Sequence, residues 1–406
     1  MTTRALAYLG ASAAATLSIL AVQALQAEAG GYETPPTFLA AKILPPELLQ
    51  GPYHKIVGPV TVEGFLNHYQ MQTKYGTFTV LGTDLLRMRV REAAATAHLE
   101  EINGAETLAT SAGKTALKPL GTAKDLVTAP GKTLSDTVKG VGNIFNQVDA
   151  GVSATDPNRE GTIASLTGGS KARRKLAYDF GVDPYTTFEP LGAELKRVAS
   201  ASAIGETATN AGLAFVTGGA GIAISVGGTS SDLRLALRDK SAADLEKAGH
   251  EELAAMGVSE GTIAAFYATQ WLTPTDKAVI VEAMMHLGNA GQREIFIART
   301  AQAKTYAEGF AYRRKAELTA AYVKRVAPVR TFVNVGGTPL MQTASRVVAI
   351  VPMDYVYWSP QLEGLISNAG THGEIWITGT ASPLAAQNLA SRGWTIVPKA
   401  SARLEH

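Results

Sequence analysis

The sequence predicts a mixed α+β chain of several domains: a small N-terminal β-plus-helix unit, a mainly α-helical centre and a small C-terminal α/β domain. Three observations carry this. Between 53 and 81, apolar and polar residues alternate as in a half-buried strand. Between 241 and 327, cap residues and glycines punctuate helical spacing. Between 347 and 397, strand-prone runs alternate with helices headed by Ser-Pro, the order of parallel crossover units. The 406 residues divide as 1–29, 30–103, 104–160, 161–329 and 330–403.

Residues 1–29 read as a secretory leader. Arg4 is the only charge before Glu28, an apolar, alanine-rich run fills 5–24, and Ala27-Glu28-Ala29 has the small residues of a peptidase site. The expectation is a bacterial protein of the periplasm or exterior, starting at Gly30. The chain has no cysteine, which excludes disulfides, thiolate ligands, a thiol nucleophile and a cysteine-linked lipid anchor. Net charge is +2, far from the basic excess of a dedicated nucleic-acid binder.

Residues 30–52 are rich in proline and glycine, an arm with at most one helical turn at 46–49. Phe65, Tyr69 and Met71 then share one strand face, with His68, Gln70 and Gln72 on the other. Lys74-Tyr75-Gly76 is a hairpin turn, and Thr83 caps a helix to about Ile102.

Residues 104–160 form an interrupted amphipathic segment, broken at Pro119 and Pro130 and dotted with lysines that include Lys124, Lys132 and Lys139. Such a segment suits a membrane surface or a partner, or short helices packed on the body. Two helices follow, separated by a turn at Gly181-Val182-Asp183-Pro184-Tyr185. Residues 211–228 carry no charge but six glycines, which fits a buried hairpin, a small-residue helix or a membrane-inserting segment.

In the helical block, Ser241 with Asp244 and Thr273 with Asp276 have capping-box spacing, Pro274 holds the first helical position, and Gly257 and Gly288 end helices. The last helix is expected from about Gln292 to Val326. Its basic residues, Arg313, Arg314 and Lys315 among them, outnumber acidic ones and read as a solvated face or an anion-binding one. In the C-terminal domain, Val347–Tyr357, Glu374–Thr378 and Trp394–Val397 are strands, and Ser359-Pro360 and Ser382-Pro383 head helices. The strands should be parallel with right-handed crossovers. Three of the four tryptophans lie here. The terminal Leu404-Glu405-His406 reads as the stub of an expression tag.

Motifs for chemistry break down on inspection. Val216-Thr217-Gly218-Gly219-Ala220-Gly221 resembles a dinucleotide loop, but Ile224 stands where the third glycine belongs. Gly113-Lys114-Thr115 and Gly131-Lys132-Thr133 lack the upstream glycine of a phosphate loop. His250-Glu251-Glu252 has Ala254 where a zinc helix needs histidine, and His68 with His98 lack a third ligand. No G-x-S-x-G elbow exists. No cofactor or metal is therefore expected. Asp354 and His372, with Ser382, are the candidates for chemistry, since ligand sites of parallel sheets gather at strand ends.

These readings converge on a non-enzymatic exported cell-envelope protein. It would bind an envelope protein or an anionic membrane surface, not nucleic acid, through Lys124, Lys132 and Lys139, through Arg313, Arg314 and Lys315, or both. A homo-oligomer is compatible with them. The alternatives are an exported hydrolase-like enzyme at the C-terminal strand ends and a membrane-inserting protein using 211–228.

Overall fold

A computed structural model describes residues 31–101, 169–202, 230–369 and 372–405. The leader, the interrupted segment 104–160 with Lys124, Lys132 and Lys139, and the uncharged stretch 211–228 lie outside the described residues. Within them the chain is mixed α+β, with 14 helices and three sheets.

The arm holds more structure than one turn. Strand β1 (Thr37–Leu39) and helix α1 (Ala40–Ile43) precede α2 (Pro46–Leu49), the expected turn. Strands β2 (Gln50–Gly51), β3 (His54–Glu63), β4 (Leu66–Thr73) and β5 (Gly76–Leu81) follow, in an antiparallel sheet ordered β1-β3-β4-β5 with β2 on β3. Tyr69 and Met71 point inward from β4 as alternation requires, and Gln72 outward. Phe65 departs from the expectation. It sits in the β3–β4 turn at φ 70°, after Gly64 at φ 56°, and its ring enters a different core. A bulky residue in the left-handed region is held there only by packing.

Helix α3 (Thr83–Glu101) packs on this sheet, and α4 (Gly169–Phe180) and α5 (Glu189–Ser202), with the turn between them, complete its core through Leu176, Phe180, Phe188 and Leu191. The turn at Gly181, φ 62°, lies between them as expected. Helices α6 (Ser231–Asp239), α7 (Ala242–Ala255), α8 (Glu260–Ala268) and α9 (Pro274–Met285) form the central block. Both capping boxes are present: Ser241 and Thr273 accept from the N–H groups of Asp244 and Asp276, whose carboxylates accept in return.

The long helix expected over 292–326 is two helices, α10 (Arg293–Ala301) and α11 (Tyr306–Arg325). The cause is local. Thr305 caps α11 by accepting from Glu308 N–H at 3.2 Å, and the Glu308 carboxylate accepts from Lys304 N–H at 2.7 Å. Gly309 then lets α11 pass close to Trp271, where an added Cβ would lie 2.0 Å from the Trp271 carbonyl oxygen.

The C-terminal sheet runs β12-β10-β8-β7-β6, built from β6 (Thr331–Val335), β7 (Thr338–Gln342), β8 (Val347–Val351), β10 (Gly373–Ile377) and β12 (Trp394–Val397). β8, β10 and β12 are parallel as expected, whereas β6 and β7 form an antiparallel hairpin on β8. Pro352-Met353-Asp354 interrupts the expected 347–357 strand, and its remainder is β9 (Tyr355–Val356), paired with β11 (Thr380–Ala381). One sheet face, with Val348, Ile350 and Trp376, joins the core of the helical block and α11. The other, with Ala349, Ile375 and Ile377, is covered by α12 (Pro360–Ala369) and α13 (Pro383–Ser391). The terminal α14 (Ala400–Leu404) packs onto the body: Leu404 is 1% exposed in the helical core and Glu405 pairs with Arg314.

Candidate functional site

The residues that sequence reasoning singled out for chemistry are not brought together. β8 and β10 are parallel, with Val347 opposite Gly373 and Val351 opposite Ile377. His372 therefore precedes one end of the sheet, and Asp354 follows the other, a strand length of roughly 16 Å away. His372 is exposed beside Gly393, where a Cβ would clash with its ring. Ser382 caps α13 by accepting from Ala385 N–H at 2.9 Å, and its hydroxyl donates to Glu33 at 2.5 Å.

Asp354 is instead a half-buried clasp between the N-terminal sheet and the C-terminal domain. One of its carboxylate oxygens accepts from the backbone N–H of Asn67 at 2.9 Å and of Thr83 at 3.0 Å, the latter opening α3. Its own N–H and that of Tyr355 donate to the Phe65 carbonyl at 2.9 and 3.2 Å. The Phe65 ring lies 5.0 Å from that of Tyr357, inside the C-terminal core. Burial pushes the Asp354 carboxyl up to about 6, against the pull of those hydrogen bonds. Glu33 works alongside, accepting from Trp358 N–H at 2.6 Å.

A cavity of about 10 Å³ adjoins Asp354, walled among others by Gly82, Asp84, Phe310 and Arg314. A second, of about 20 Å³, is purely apolar and lies between the sheet and α12. Neither has room for more than a water or two. Among the described residues, no group of three His, Asp or Glu side chains converges as a metal site.

The second sequence-derived site is corrected outright. Arg313, Arg314 and Lys315 do not form a solvated face: they are 3%, 7% and 6% exposed. Arg313 donates to Asp276 on α9 and to Glu317, each at 3.1 Å. Arg314 donates to Asp84 on α3 at 3.2 Å, to Glu405 at 2.9 Å and to Glu317. Asp276 uses one carboxylate oxygen for the Thr273 cap and the other for Arg313. Lys315 reaches the Pro339 carbonyl of β7 at 2.7 Å. Burial opposes the charge on both arginines, and the carboxylates more than reverse it, holding them above the usual guanidinium range. Lys315 has no such carboxylate, and burial, helped by Arg299, pulls it down to about 7.

Nearby, Asp183 accepts from Tyr185 N–H at 2.8 Å and from the Thr275 hydroxyl at 2.5 Å. Burial, with Asp276 close by, pushes its carboxyl up to about 6. The chemistry of this cluster is cohesive: it ties α3, α9, α11 and the C-terminus into one charged core. Asp84 and Glu405 were missed because nothing local marks residues 230 and 91 positions away. Glu317 carried a signal, standing four residues after Arg313 and three after Arg314.

Comparison with protein-family models, with curated proteins and with solved structures finds no match to this chain. Among the described residues, no helix is long and apolar enough to cross a membrane.

Proposed function

We propose that this chain is a non-enzymatic exported protein of the cell envelope whose role is to bind, with an anionic membrane surface as the first partner to test. Its β-plus-helix, helical and α/β units are read as domains joined into one binding body. The observation that carries the reading is the use of Asp354. The carboxylate placed best for strand-end chemistry is occupied by the backbone N–H groups of Asn67 and Thr83 and lies a strand length from His372. The leader pattern of residues 1–29 supplies the address.

The test is flotation of the chain from Gly30, which retains every described residue, with phosphatidylglycerol-rich and with neutral phosphatidylcholine vesicles at low and high salt. Flotation only with anionic vesicles, lost in salt, is the expected result. Salt-resistant flotation would favour insertion through 211–228. Absence of flotation would retire the membrane reading and leave a protein partner. The hydrolase-like alternative is tested by esterase and peptidase assays on the chain and on Asp354→Asn. Activity that disappears in a folded variant would reinstate it.

A further inference from the structure

Arg313 and Arg314 are buried in ion pairs and Lys315 is buried against the Pro339 carbonyl, so an anionic surface must be met elsewhere. The helices α4 and α6 pack side by side. With the following Lys240 they hold seven basic residues against three acidic ones. Lys171, Lys175, Arg234 and Lys240 are exposed. Lys171 and Lys175 are one turn apart on α4 and share a side with Tyr178. Arg234 and Arg238, one turn apart on α6, lie over the Tyr178 ring at 5.4 and 5.0 Å from its centroid. That ring therefore links the two basic stripes into one face.

The acids within the face are few and engaged. Asp239 holds Arg238 at 2.7 and 2.8 Å, and Asp179 lies within the fields of Lys175 and Arg238. Asp232 remains, at the start of α6. Leu235, 38% exposed, stands next to Arg234 on α6, an apolar side chain beside the cations. The apolar sides of α4 and α6 are buried in the protein, so what this face offers to anionic headgroups is its exposed cations, with Leu235 as a small apolar contact.

We infer that the joined α4–α6 face, through Lys171, Lys175, Arg234 and Lys240, is the surface by which this chain docks on anionic phospholipid. The inference rests on the membrane-surface reading above and gives it an address. Each basic residue near an anionic leaflet strengthens binding about fivefold, so losing three costs on the order of 100-fold.

The experiment compares three forms of the chain from Gly30: the unaltered chain, Lys171→Gln with Lys175→Gln and Arg234→Gln, and a control with Lys42→Gln, Lys55→Gln and Lys324→Gln. The control removes three exposed lysines that lie on other elements, α1, β3 and α11. Vesicle affinity is measured with phosphatidylglycerol-rich vesicles, with circular dichroism and urea midpoints as checks of folding. The expected result is a loss of 10- to 100-fold for the α4–α6 variant and less than threefold for the control, both folded. Equal losses in both variants, or none, would overturn the address and leave the membrane reading standing. Failure of the unaltered chain to bind would overturn both.

Discussion

Two helices of this molecule carry almost the same basic string, and the fold treats them in opposite ways. On α11, Arg313-Arg314-Lys315 is buried, the arginines among Asp84, Asp276, Glu317 and Glu405 and the lysine against the Pro339 carbonyl. On α4, Lys171-Ala172-Arg173-Arg174-Lys175 buries Arg174 but leaves Lys171 and Lys175 exposed. The difference is not in the cations. It lies in carboxylates supplied by α3, α9 and the C-terminus, which converge on α11 and make a buried charge tolerable there. A run of lysine and arginine thus says little about exposure until the acids that meet it in space are known.

The sharpest way to break this comparison is to remove a carboxylate that both buried arginines share. Glu317→Ala should cost about 3–5 kcal/mol, because it strands charge inside the core. Urea unfolding measures it, and a loss under about 1 kcal/mol would mean that the arginines reach water. Phe65→Ala tests the clasp between the N-terminal sheet and the C-terminal domain. It empties a buried ring site and should cost about 3 kcal/mol. A near-neutral result would show that the turn packs loosely against the C-terminal core. Thr273→Ala removes a buried cap whose partner Asp276 also holds Arg313, and should cost about 1–2 kcal/mol.

The pH dependence separates the two kinds of half-buried acid. The Asp354 carboxyl holds its proton more tightly in the folded chain than in the unfolded one. Its contribution to stability is full below about 3.8 and is lost as pH rises through about 6. Asp183 has the same sign. Asp84 has the opposite sign: burial favours its neutral form, but Arg314 and Arg87 hold it below the usual range, so its contribution is lost on acidification below about 3.8. Asp354→Asn should therefore flatten the fall in urea midpoint between pH 4.5 and 6.5. An unchanged slope would assign that dependence to other groups. The smallest effect belongs to the exposed run: Lys171→Gln with Lys175→Gln should leave the urea midpoint unchanged, since both side chains are exposed. A measurable loss would bring α4 closer to α11 than the structure places it.

The local grammar of this chain was legible from residues alone. The capping boxes at Ser241 and Thr273, the turn at 46–49, the alternation of Tyr69 and Met71, and the parallel strands ending at Val397 all follow from interactions spanning a few residues. The break at Gln302–Thr305 was legible too, as Thr305-x-x-Glu308, but lay hidden inside a continuous helical period. Neither the burial of Arg313, Arg314 and Lys315 nor the structural use of Asp354 could be read that way. Whether a charged side chain faces water or serves the core depends on partners 24 to 287 positions distant along the chain. Local free energies set the helices and strands. Only the tertiary arrangement, by bringing carboxylates to arginines and backbone N–H groups to Asp354, decided which charges hold the fold together and which are left to meet a partner.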